Sequence, residues 1–108
     1  MGRKTISPVA RHAGDLLGAS VRAGRIDRGW TIDLLAERAQ VDRKTVMRVE
    51  RGDPGVALGT ALDCASLVGV ALFYDDERRL AAEVARGRAP LIGRRVRPAA
   101  GPEPNLDF

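Results

Sequence analysis

Aromatic residues are nearly absent from this chain, with one Trp, one Tyr and two Phe in 108 residues. Any core must therefore be aliphatic. Histidine and cysteine occur once each, as His12 and Cys64. A lone cysteine forms no intrachain disulfide, which fits a reducing cytoplasm. Cys64 has no basic neighbour to activate it as a thiolate, and His12 has no second ligand nearby. There is no Gly-rich phosphate loop and no nucleophile–base–orienter set for one domain to assemble. An enzyme is thus the first class set aside, and no cofactor or metal site is expected. No run approaches the ~20 apolar residues of a membrane span, and residues 1–13 lack the apolar centre of a signal peptide. The chain carries no internal repeat of useful length.

The length allows one small domain with tails. The net charge is +4, which favours a polyanionic partner such as nucleic acid or an anionic membrane surface. The placement of that charge is the more informative signal. Residues 31–52 read as two short helices joined by a tight turn. Thr31 is an N-cap, with Trp30 before it and Leu35 after it spaced for a hydrophobic staple. Leu34, Leu35 and Ala39 form an apolar stripe, while Asp33, Glu37 and Arg38 face water. Ala39-Gln40-Val41 is the turn. Asp42 caps the second helix, where the helix dipole favours a carboxylate. Val46 and Val49 point inward, leaving Arg43, Lys44, Met47, Arg48 and Arg51 on the outer faces.

This is helix-turn-helix geometry, in which the second helix enters the DNA major groove. Small Ala36 lets the two helices approach at a sharp angle. The expected DNA-contacting set is Thr31, Asp42, Arg43, Lys44, Thr45, Met47, Arg48 and Arg51. Arg43 and Arg48 suit guanine O6 and N7 as bidentate donors, and Met47 suits a thymine methyl. A scaffold that had lost DNA binding would have no need of Arg43, Lys44 and Arg48 together.

On the segments LLAERAQV, TVMRVERG and ALGTALDCASLVGV, residues 17–72 resemble the Xre/Cro-type helix-turn-helix family. The resemblance implies an all-α, five-helix, lambda-repressor-like domain that binds double-stranded operator DNA as a homodimer. It also implies a structural salt bridge between Arg25 and Glu50. Two residues depart from the family pattern: Ile32 stands where Gln usually follows the capping Thr, and Gln40 where the turn usually has Gly.

The remaining chain frames this centre. Residues 1–13 are expected to be a flexible basic arm, with Ser7-Pro8 as a breaker. Helix one is expected from Asp15 to Arg28, stopped by Gly29, with Leu17 and Val21 on the core. Gly18 and Gly24 inside it each cost about 1 kcal/mol against Ala. Asp53-Pro54-Gly55 marks a turn. Helix four is expected over 58–68, with Leu58, Leu62, Ala65 and Cys64 inward. Asp75-Asp76 caps a fifth helix over 77–86, and Leu72, Phe73, Leu80 and Val84 offer a dimer surface. The domain thus spans 14–86. Residues 87–108 hold four of the six prolines and are expected to be a disordered tail. That tail combines RRVR, which suits a basic arm on DNA, with a closing Leu106-Asp107-Phe108, which suits anchoring in a partner's groove. With LGTALDCASLVGV, these features resemble HipB-type antitoxins, which implies a HipA-type Ser/Thr kinase as partner. The alternative is a stand-alone Xre-family regulator with no toxin partner.

Overall fold

The aliphatic core expected from the composition is built of Val21, Leu35, Ala36, Ala39, Val46, Val49, Cys64, Ala65 and Val68. In the computed structural model, which describes residues 5–87, these side chains come from four helices and, for Val68, from the residue that closes the last of them. The described residues carry α1 (Pro8–Asp27), α2 (Ile32–Ala39), α3 (Arg43–Glu50), α4 (Leu58–Leu67) and α5 (Glu77–Ala85). The chain divides into two units, Met1–Leu72 and Phe73–Phe108. This boundary falls inside the expected 14–86 domain.

In the first unit α1 packs against α3 and α4, and α2 packs against the same two helices. The start of α1 differs from the sequence expectation. Ser7 is its N-cap, accepting from the Ala10 N–H at 3.1 Å, and Pro8 occupies the first helical turn. Proline there loses no hydrogen bond and has its φ already set for a helix. Residues 8–13, expected in the flexible arm, are therefore helical. The two glycines inside α1 also acquire a reason. A Cβ on Gly18 would stand 2.5 Å from the Val49 carbonyl oxygen, and one on Gly24 would stand 2.6 Å from that of Val68. Their missing side chains let α1 lie against the carbonyl ends of α3 and α4.

Helix α2 ends as the turn chemistry demands, although without glycine. Gln40 adopts the left-handed conformation, with φ 60° and ψ 43°, and the Val41 N–H donates to the Ala36 carbonyl at 3.0 Å. A Cβ in that region costs about 1–2 kcal/mol, which the burial of Ala36 and Ala39 just before the turn must offset. Trp30 packs against the core cluster that contains Leu35, and the Arg38 guanidinium lies 4.6 Å over its ring.

In α4 one inward assignment fails. Leu58 is 72% exposed, Leu62 is half-buried, and Cys64 and Ala65 are buried together with the C-cap residue Val68. Leu58 sits in the helix's first turn, where it lines an open hollow with Ala10, Gly14 and Leu17 of α1 and stays mostly in solvent. Burial pushes the Cys64 thiol above its ordinary range, so it stays protonated near neutrality. Leu72, expected on an outward stripe, packs against the first unit's core instead.

In the second unit Asp76 caps α5, accepting from the Arg78 N–H at 2.9 Å. Arg79 lies 4.6 Å over the Tyr74 ring. Phe73 and Val84 are exposed and Leu80 is half-buried. Expectations for residues 88–108, including Leu106, Asp107 and Phe108, lie outside the described residues.

Candidate nucleic-acid interface

The α2–turn–α3 pair is positioned by two side-chain caps and one buried ion pair. The Thr31 hydroxyl oxygen accepts from the Leu34 N–H at 3.0 Å, fixing the start of α2. Asp42 does the same for α3 through Oδ1, which accepts from the Thr45 N–H at 2.9 Å and the Thr45 hydroxyl at 2.7 Å. The Thr45 hydroxyl hydrogen is thereby committed to the cap, so Thr45 meets a phosphate only by giving up that bond.

The bonds from the Thr45 side chain and backbone hold the Asp42 carboxyl below the usual carboxylate range. A depressed folded-state pKa means that the cap is intact above the unfolded value of about 3.9. It is lost only as pH falls through the lower folded value. An NMR titration is accordingly expected to show the Thr45 amide resonance shifting with a midpoint below the unperturbed carboxylate value. A midpoint at or above the unperturbed carboxylate value counts against this cap.

The ion pair joins α1 to α3. Arg25 Nε donates to Glu50 Oε2 at 2.6 Å and Nη2 to Oε1 at 3.2 Å. The third nitrogen, Nη1, donates to the Trp30 carbonyl at 2.9 Å, just before α2 begins. The two charged side chains are only 10% and 7% exposed. The Glu50 hydrogen bonds raise the Arg25 pKa, burial opposes this, and the Glu50 charge adds to the rise. One guanidinium thus ties the end of α3 to the residue just ahead of α2; the family resemblance implied the bond to Glu50 but not the one to the Trp30 carbonyl.

On this frame α3 turns Val46 and Val49 into the core and leaves Arg43, Lys44 and Met47 exposed, with Arg51 exposed just past its end. Arg48 is half-buried. Apart from Thr31, which caps α2, the expected contact residues share α3 and its caps, and two of the arginines among them are engaged by carboxylates. Arg43 Nη1 donates to Asp33 Oδ1 of α2 at 2.9 Å. Arg48 Nε donates to Asp53 Oδ2 at 2.9 Å. Asp53 Oδ1 also accepts from the Gly55 N–H at 2.8 Å, so Arg48 is held against the turn after α3. Arg43, in the first turn of α3, is the more available of the two.

Ile32 packs at the edge of the core and lines a hollow of about 250 Å³ with Arg22, Met47, Glu50 and Arg51. Arg22 and the carboxylates Asp33 and Asp53 are the residues that reading the sequence missed. The helical spacing that places Val21 inward puts Arg22 beside it on the next face of α1, a signal available but unused. Among the described residues no group of three or more potential ligands is arranged to hold a metal ion, and no helix is long and apolar enough to cross a membrane. The chain matches no family model, no curated protein and no solved structure, so its function is read from this surface.

Proposed function

We propose that the chain is a sequence-specific DNA-binding transcriptional repressor with a lambda-repressor-like helix-turn-helix. The single observation that carries this reading is the outer face of α3: Arg43, Lys44 and Met47 exposed together on a helix capped by Asp42 and braced through Glu50. The first turn of such a helix reads base edges, while flanking cations neutralise phosphates. Arg43 is the first-choice base reader. Lys44, Arg51 and Arg22 are the phosphate contacts, and the Thr31 and Asp42 caps orient the pair.

The protein acts as a homodimer in this reading, because one such module buries little DNA and two match half-sites about 34–36 Å apart. Exposed Phe73 and Val84 supply apolar surface for pairing. The narrower reading, an antitoxin and autoregulator that restrains a HipA-type kinase, rests on the sequence of the tail and its closing Leu106, Asp107 and Phe108.

Selection from a randomised duplex pool tests the proposal. The wild-type chain is expected to enrich a two-fold related site. Arg43→Ala is expected to weaken binding to that site by about 1–3 kcal/mol at fixed salt, with relaxed preference at one base pair per half-site. No enrichment, or an Arg43→Ala chain that binds as tightly as wild type, removes α3 from the groove.

A further inference from the structure

We infer that Asp33 is a specificity-determining residue, which restrains Arg43 so that it engages a correct base but not an arbitrary phosphate. The inference rests on the DNA-binding reading and adds to it a residue on the other helix of the pair. Asp33 lies in the first turn of α2 and Arg43 in the first turn of α3. The two are ten positions apart in sequence, yet Arg43 Nη1 donates to Asp33 Oδ1 at 2.9 Å. Both side chains are mostly exposed, at 56% for Arg43 and 72% for Asp33.

The exposure sets the strength of the restraint. A solvated ion pair of this kind favours its closed form by no more than about fivefold. A bidentate contact between an arginine and its cognate guanine is worth about 5- to 150-fold in binding. Displacing the carboxylate would return up to about fivefold of that gain, so the correct base keeps it by sharing the Arg43 guanidinium with Asp33. A guanidinium carries five N–H donors, and the Asp33 bond uses one, so the rest of the fork remains free for a base edge. A single phosphate at ordinary salt is a much weaker competitor, comparable to the ion pair itself. Asp33 also places a negative charge beside any phosphate that approaches Arg43. Random DNA thus gains little from Arg43, whereas the right sequence gains nearly all of it.

Arg48 differs. Its Asp53 partner also accepts from the Gly55 N–H, so that pair belongs to the architecture of the turn after α3. Asp33 serves no comparable loop: apart from Arg43, its place in the first turn of α2 is explained only by the helix dipole. Asparagine is tolerated there, and a folded Asp33→Asn chain is expected.

The experiment measures binding of the full chain to a random-sequence duplex and to the selected site across a salt series. Four chains are compared: wild type, Asp33→Asn, Arg43→Ala and the double variant. Asp33→Asn is expected to bind the random duplex about two- to fivefold more tightly. Its salt dependence should steepen by about 0.9 for each protomer's newly available phosphate contact. The ratio of selected to random affinity should narrow accordingly. In the Arg43→Ala background, the Asp33→Asn change should have no such effect on slope. Asp33→Ala repeats the measurement should Asn accept the same hydrogen bond. An unchanged slope and ratio in both Asp33 variants overturns the inference and leaves the DNA-binding reading intact. An equal gain with and without Arg43 also overturns it, since Asp33 would then act only as a diffuse negative charge. A wild-type chain with no salt-dependent duplex binding overturns both.

Discussion

Replacing Glu50 with Ala is expected to destabilise the first unit by about 3–5 kcal/mol, because it leaves the buried Arg25 charge without its counter-ion. Small domains have about 5–15 kcal/mol of stability in all, so this one truncation removes a large share of it. The loss is not a measure of the pair's net worth. Two buried charges give up their water, and replacing both with apolar groups of similar size is often neutral or stabilising. A chain carrying Arg25→Met with Glu50→Leu is therefore expected to recover most of what Glu50→Ala loses. The recovery will be incomplete, since the Trp30 carbonyl also loses the Arg25 Nη1 bond. Urea unfolding midpoints of the three chains decide the matter. A Glu50→Ala chain within about 1 kcal/mol of wild type would be in the range of a solvated surface pair, and would show that this pair carries little of the fold.

The second large effect runs against helix propensity. In a helix interior Ala is favoured over Gly by about 1 kcal/mol, so Gly18→Ala would stabilise an isolated α1. In the folded chain the new Cβ would meet the Val49 carbonyl oxygen at 2.5 Å, that of Glu50 at 2.7 Å and the Gly52 nitrogen at 2.8 Å. All three are backbone atoms, and none can rotate aside. Relief requires α1 to move off the end of α3, straining the Arg25–Glu50 bonds that join the same two helices. The expected net cost is about 3 kcal/mol, the upper part of the range for overpacking. Gly59→Ala is the control, because a Cβ there meets nothing within 4 Å. It is expected to leave stability unchanged or to raise it by up to about 1 kcal/mol. If both substitutions stabilise, the close approach of α1 to α3 is wrong.

The caps were legible in the sequence because they are local. Thr31 and Asp42 announce their helices by residue type and by their position just ahead of a periodic apolar pattern. Both side chains accept the expected N–H groups. The inward pair Val46 and Val49 follows from helical spacing alone. Ser7-Pro8 misled because the same dipeptide breaks a segment on its N-terminal side and starts one on its C-terminal side; an N-cap serine before a first-turn proline begins a helix. Leu58 misled for another reason. Its i, i+4 relation to Leu62 is genuine, but spacing does not say how deeply a side chain will be covered, and Leu58 borders an open hollow beside α1. The roles of Gly18 and Gly24, and the engagement of Arg43 by Asp33, were not legible. Each depends on a contact between helices, and no pattern within one helix encodes what the next will bring against it.

Trp30 has a practical consequence. It is the chain's only tryptophan, so ultraviolet emission excited through indole comes from one address. That address is the joint between α1 and α2, where the backbone carbonyl is held by Arg25 and the ring lies under the Arg38 cation. The protein therefore carries its own unlabelled optical gauge, whose colour reports whether the strut joining the start of α2 to the end of α3 is intact.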